Sequence, residues 1–174
     1  MKKYVNRNLL LIIIYVMIDQ LIKIYIDSYN LNYHDLTDVI AFRPVLNDRY
    51  SYVNNVFNCN MGIELHIILI TLALIVIIIF YKYILAENNK SKELIVGFNL
   101  LIAGCICSLI DKFFWSGSLD YIWLKGFFIF DLKDVYISIS EVIIITWVII
   151  NYKLVIHFRT RDLIRFIKES IIKQ

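Results

Sequence analysis

Four aspartates, Asp111, Asp120, Asp131 and Asp134, fall within 24 positions, with Lys112, Lys125 and Lys133 as possible counter-charges. Two carboxyl groups held close cannot both ionise comfortably, so one keeps a proton while the other does not. Such a pair is equipped for general acid–base work on water. A second set, Asp19, Lys23 and Glu141, sits inside apolar runs. A charge there costs about 3 kcal/mol or more, so each needs a partner or a purpose. The plain reading is pairing within a helix bundle: Asp19 with Lys23 one turn on, and Glu141 with a neighbour such as Lys23.

Other chemistry has little support. Cys59, Cys105 and Cys107 are odd in number and lack framework spacing, so they read as small packing residues. His34, His66 and His157 are scattered and read as interfacial or surface residues. No metal site and no cofactor are expected.

The elements that must position the acids are membrane helices. The 174 residues are 60% hydrophobic, with a mean hydropathy of +0.68 and only one Pro and five Gly. That is too apolar for an ordinary soluble domain. The expected fold is a single all-α integral membrane domain. Its four spans cover about 9–26, 65–85, 94–115 and 135–157, with outer loops 27–64 and 116–134 and a basic tail 158–174. No small-residue cleavage site follows the first span, which is read as a retained helix. Alternation around Tyr50 to Val53 suggests short strands in the first outer loop.

Lys2, Lys3, Arg7, Lys82, Lys90, Lys92, Lys153, Arg159, Arg161, Arg165, Lys168 and Lys173 collect on one side of these spans, against Arg43, Arg49, Lys112, Lys125 and Lys133 on the other. Twelve against five places both termini in the cytoplasm. The tail reads as an amphipathic anchor on the inner leaflet. All intramembrane charges then lie in the outer half. Helical phase puts Asp19 with Lys23, Gly97 with Gly104, Ser108 and Asp111, and Asp134 with Ser138 and Glu141. Three polar faces are expected to meet in one outward-opening pocket.

Several stretches carry a family resemblance. Asp19, Gln20 and Lys23 resemble a D-Q-x-x-K motif, and Asn60, Met61 and Gly62 resemble N-x-G. Ala103 to Lys112 (AGCICSLIDK) is similar to G-G-A-x-G-N-x-I-D-R. Ser118 to Ile122 (SLDYI) resembles V-V-D-F-I, and Phe130 to Asp134 (FDLKD) resembles F-N-x-A-D. In this order, these are motifs of the lipoprotein signal peptidases, or signal peptidase II, four-span aspartyl proteases of bacterial membranes. The resemblance implies a small extracytoplasmic sheet that cradles substrate. It implies Asp120 and Asp134 as the catalytic pair and Asp111 as a framework acid. Asn60, Gly62, Ser108, Asp131, Lys112, Asp111, Asp19 and Lys23 would bind substrate or support the site. The implied partners are a diacylglyceryl-modified prolipoprotein and membrane lipids, with no nucleic acid, and the expected unit is a monomer in the bacterial cytoplasmic membrane.

The departures are Cys107 for Gly, Ser108 for Asn, Lys112 for Arg, Asp131 for Asn and Lys133 for Ala. They leave open a specialised or non-cleaving homologue that binds signal segments. A small transport or ion-pathway subunit, using Asp19, Lys23 and Glu141 as a relay, is the alternative from another class. On the peptidase reading, the ionised acid takes a proton from water, and the water attacks the scissile carbonyl. The protonated acid donates to that oxygen and then to the leaving amine. Lys133 and Asp131 are expected to tune this chemistry with compensating charges.

Overall fold

The computed structural model describes residues 2–50, 54, 61–86, 91–153, 165 and 168. Four long helices carry the chain: α1 (Lys2–Ser28), α2 (Ile63–Ala86), α3 (Lys92–Phe114) and α4 (Leu132–Ile150). Four strands, β1 (His34–Asp35), β2 (Ile40–Asn47), β3 (Ser118–Leu124) and β4 (Ile129–Phe130), form one antiparallel sheet in that order. The sheet therefore joins the α1–α2 and α3–α4 connections. The first outer loop does contain short strands, His34–Asp35 and Ile40–Asn47, while residues 51–53 of the alternating stretch lie outside the described set. Asn60 and most of the 154–174 tail also lie outside it.

Helix α1 shows why this fold suits a bilayer. Its buried stripe holds Asn8, Ile12, Asp19, Lys23 and Ile26, while Leu9, Leu10, Ile13, Met17, Leu21 and Ile24 are exposed. Apolar outside and polar inside is the reverse of a water-facing helix, and it is favourable only where the surroundings are lipid. Helix α2 is more exposed still, with Leu65, Ile68, Leu69, Leu72, Ile75 and Val76 facing outward. The stretches Asn6–Ser28, Ile63–Ala86 and Lys92–Phe114 are each long and apolar enough to cross a membrane. The chain is thus a multi-pass membrane protein. Helix α4 is described over 19 residues and carries Lys133, Asp134 and Glu141.

Helix α3 is the hub, with Leu94, Ile95, Phe98, Leu100, Ile102 and Ala103 buried in the core. It packs most extensively on α4, through its glycines. A Cβ on Gly104 would meet Ile137 Cγ1 at 2.5 Å and the Lys133 carbonyl at 3.4 Å, and one on Gly97 would meet Ile143 and Ile144 at 3.2 Å. Small residues bring the two backbones together, as expected for lipid-surrounded helices.

The phase of α4 differs from the sequence expectation. Lys133, Tyr136 and Ser140 face the bundle, whereas Ser138 and Glu141 are exposed. Glu141 is not a contact for Lys23, whose carboxylate partners are Asp19, Asp111 and Asp131. Ile137, Ile143, Ile144 and Trp147 follow the buried edge, and their apolar packing sets the rotation of the helix.

The β2–β3 pairing positions one acid. Its register shifts between Phe42 and Val45, at the chain's single proline, Pro44. A bulge is where a residue without an N–H does least harm to the ladder. Beyond it Val45 pairs with Asp120 and Asn47 with Ser118. The approach is so close that a Cβ on Gly117 would lie 2.8 Å from the Asn47 carbonyl.

Candidate active site

Asp131 caps α4, and the reason is local. Its side chain accepts from the Asp134 N–H, and the Asp134 side chain accepts from the Asp131 N–H, each at 3.2 Å. This reciprocal capping box ties up donors that a helix start leaves orphaned, and places two carboxylates at the positive end of the helix. The spacing D-x-x-D in FDLKD is enough to produce it.

Asp120 arrives from β3. Its Oδ1 accepts from Ser118 Oγ at 2.8 Å and its Oδ2 from Asn47 Nδ2 at 3.0 Å. One carboxylate oxygen from each of Asp120, Asp131 and Asp134 lies within 4.8 Å of the other two. Asp120 is buried, whereas the Asp134 side chain remains 43% exposed, so one member of the pair is shielded and the other open to an incoming molecule. Burial pushes the Asp120 carboxyl above the usual carboxylate range, outweighing the attraction of Lys133. Asp131 is the opposite case: burial opposes its charge, but Lys133 and Lys23 overcome that and hold it below the usual range.

Beneath the pair lies a fully buried ionic network. Lys23 Nζ reaches Asp19 at 2.9 Å, Asp111 at 2.7 Å and Asp131 at 2.7 Å. Gln20 Nε2 donates to Asp19 and to Asp111, each at 3.0 Å, and Trp115 Nε1 donates to Gln20 at 3.2 Å. The Lys133 backbone N–H donates to Asp19 at 3.1 Å. Helices α1, α3 and α4 are thereby stitched together beside the sheet.

Lys133 Nζ stands inside the acid cluster. It lies 2.5 Å from Asp131, 3.2 Å from Asp111, 3.8 Å from Asp120 and 3.9 Å from Asp134. Counting Asp19, Asp111, Asp120, Asp131 and Asp134 against Lys23 and Lys133, five acids meet two ammoniums. Carboxylates thus outnumber the ammoniums that touch them, and Lys112 adds a further nearby positive charge. Two sets of three acids are close enough to ligate a cation, Asp19 with Asp111 and Asp131, and Asp120 with Asp131 and Asp134. Both already contain ammonium groups at contact distance, which supply the positive charge a cation would bring.

The remaining expected residues divide. Lys112 is buried and donates to Ser108 Oγ at 3.1 Å. Gly62 lies apart, on the α2 entrance, where its carbonyl accepts from His66 Nδ1 at 2.9 Å. His66 is buried there and is not a surface residue. Asn60 is outside the described residues. Sequence reasoning overlooked Asn47 and Ser118, which hold Asp120. Asn47 leaves no local signal, since its role follows from the β2–β3 register. Ser118 stands two residues from Asp120, on the same strand face, and could have been found by that period of two.

A bundle of lipid-facing helices that gathers carboxylates beside a small sheet defines a polytopic membrane protein with an acid-lined site. The family described as signal peptidase (SPase) II matches residues 11–150 of the chain. The lipoprotein signal peptidase of Rickettsia felis (strain ATCC VR-1525 / URRWXCal2) is 30% identical over 155 residues, covering 80% of this chain and 72% of that protein. That of Rickettsia africae (strain ESF-5) is 29% identical over 152 residues, covering 80% and 71%. A bacterial membrane enzyme solved by the in meso method at 2.3 Å resolution shares the fold, with a TM-score of 0.67 and 18% identity over 86% of this chain and 91% of that one. The chain belongs to the signal peptidase II family, whose members remove signal peptides from prolipoproteins.

Proposed function

We propose that this chain is a working aspartyl endopeptidase that cuts prolipoproteins before the diacylglyceryl-modified cysteine, with Asp120 and Asp134 as its catalytic pair. The observation that carries the reading is the pairing itself: a buried carboxyl fixed by Asn47 and Ser118, beside a half-open carboxyl at a helix mouth. The pair shares a proton and titrates as a unit. Water between the acids and the scissile peptide loses a proton to the ionised member. The other member protonates the carbonyl oxygen as the tetrahedral intermediate forms, then proton return to the amine releases the signal peptide. Lys23, Asp19 and Asp111 hold the helices so that the two acids keep their separation.

The site lies where α3 ends and α4 begins, at the border between apolar helix and sheet. A signal helix lying in the bilayer presents its cut bond at such a border. The exposed Phe113, Phe114, Phe127 and Phe128 suit an interfacial belt beside it. The charge count along the sequence favours both termini in the cytoplasm and the site toward the outer face of the bacterial inner membrane, with α4 and its continuation as a fourth crossing. A transport relay is poorly supported, because Asp19 and Lys23 are locked in one cluster and Glu141 faces outward. The test is cleavage of a diacylglyceryl-modified precursor by purified protein, with Asp120→Asn as the control. Absence of product from the parent protein under conditions where a known signal peptidase II cuts the same precursor would sink the reading.

A further inference from the structure

We propose that Lys133, braced by Asp131 and Ser118, is a positioning residue for the catalytic pair: its ammonium supplies the charge that allows Asp120 and Asp134 to sit together with a single shared proton. This rests on the reading of Asp120 and Asp134 as that pair. Two of the departures from the family pattern, Asp131 and Lys133, touch each other, and both touch Ser118. Lys133 Nζ donates to Ser118 Oγ at 2.6 Å and to Asp131 Oδ2 at 2.5 Å, and Ser118 Oγ lies 3.3 Å from Asp131 Oδ2. They form one unit that faces the acids.

An ammonium has three protons. Two of those of Lys133 go to Ser118 and Asp131, and Asp111 Oδ2 lies 3.2 Å from the same nitrogen, so the ammonium is engaged by the cluster around it. Its role is therefore exerted through other groups. One path is mechanical: with Lys133 donating to it, Ser118 Oγ is left to give its own proton, and its shortest carboxylate contact is Asp120 at 2.8 Å. The other path is electrostatic, since Nζ lies 3.8 Å from Asp120 and 3.9 Å from Asp134. Asp131 adds a negative charge against the same pair, so the two side chains act with opposite sign.

The charged surroundings are complete on every packed side among the described residues. Helix α1 presents Asp19 and Lys23, and α3 presents Asp111 and Lys112. Strand β3 presents Asp120, the start of α4 presents Asp131 and Asp134, and β2 offers the uncharged Asn47. Lys23 also holds Asp131, at 2.7 Å, so loss of Lys133 would leave that acid ionised against the pair.

The sign follows. Lys133→Met removes a cation and makes both proton losses of the pair harder, moving both limbs of the pH–rate profile to higher pH, by roughly one pH unit or more. Asp131→Asn keeps the capping acceptor, leaves Lys133 in excess and moves both limbs to lower pH. The double variant returns toward the parent, and Lys133→Arg stays near it. The measurement is a pH–rate profile on a synthetic peptide carrying diacylglyceryl cysteine, with thermal unfolding of each variant in the same detergent. A Lys133→Met profile that matches the parent, with only a lower Tm, would reduce Lys133 to a structural contact. Shifts of the two single variants in the same direction would overturn the compensation. If Lys133→Met does not fold, Asp131→Asn and the double variant still decide the matter, because opposite charge effects predict a downward shift that the second substitution reverses. Turnover by Asp120→Asn would instead defeat the reading of the pair, whatever Lys133 does.

Discussion

Lys23 and Asp111 are 88 residues apart in the chain and meet at 2.7 Å with both side chains fully buried. That contact joins α1 to α3 directly beneath the paired acids. Asp111 also takes in Gln20 at 3.0 Å and Ser118 at 3.2 Å, so one carboxylate ties two helices to the sheet. Breaking a buried pair by removing one charge typically costs about 3–5 kcal/mol, because the other is left uncompensated. Asp111→Asn is expected to lower folded yield and Tm sharply while the surviving folded fraction retains turnover. Lost activity in a variant of undiminished Tm would move Asp111 into the reacting set.

Asp120→Asn and Asp134→Asn are each expected to abolish cleavage without preventing membrane insertion. For Asp120 the stability outcome has a definite sign. Its carboxyl titrates above the usual range because burial disfavours its charge. The folded state then holds that proton more tightly than the unfolded chain, so stability declines as pH rises from about 3.9 through the folded value, and the deficit persists above it. Removing the acid removes the deficit. Asp120→Asn should match or exceed the parent Tm at neutral pH and lose that advantage near pH 3. A Tm several degrees below the parent at neutral pH would contradict this account.

Asn47→Ala tests the orientation of Asp120. Its amide donates to Asp120 Oδ2 at 3.0 Å from the neighbouring strand. A hydrogen bond to a charged group contributes about 1.5–3 kcal/mol. Turnover is expected to fall by roughly tenfold to a hundredfold on that basis, with KM less affected, because the substitution disturbs the acid and not the substrate. A change confined to KM would place Asn47 on the substrate side.

Gly104→Ala should injure both stability and catalysis through geometry alone. The added Cβ would lie 2.5 Å from Ile137 Cγ1, in the turn that follows Lys133 and Asp134. Overpacking of this kind costs about 1–3 kcal/mol and is relieved by moving α4 away from α3. Gly104→Ala together with Ile137→Ala should recover much of the lost activity. Gly97→Ala, with its nearest contacts at 3.2 Å, should be milder. Equal damage at both glycines, or no recovery in the double variant, would argue against helix approach as the cause.

The sequence by itself determined the class of environment and the family. Apolar runs of span length persist whatever the tertiary arrangement, because hydropathy is a property of composition. FDLKD carries its own capping box, since Asp134 stands three positions after Asp131, the spacing that such a box requires. Asp19 and Lys23 meet for a similar reason, one helical turn apart. Motif order was also legible, and with it the family.

Only the tertiary structure decided how those pieces face each other. Ser138 and Glu141 share a helical phase with Asp134, yet they are exposed. The rotation of α4 is set by Ile137 against Gly104 and by the apolar edge beyond, and packing outweighs the alternation of charges. Asn47 has no motif, because its contact with Asp120 depends on a bulge and a strand register formed between segments 73 residues apart. Lys133 could be read only as a nearby cation. That it stands among Asp111, Asp120, Asp131 and Asp134 follows from α1, α3, α4 and the sheet closing together, and distances between segments are not encoded in the spacing along any one of them.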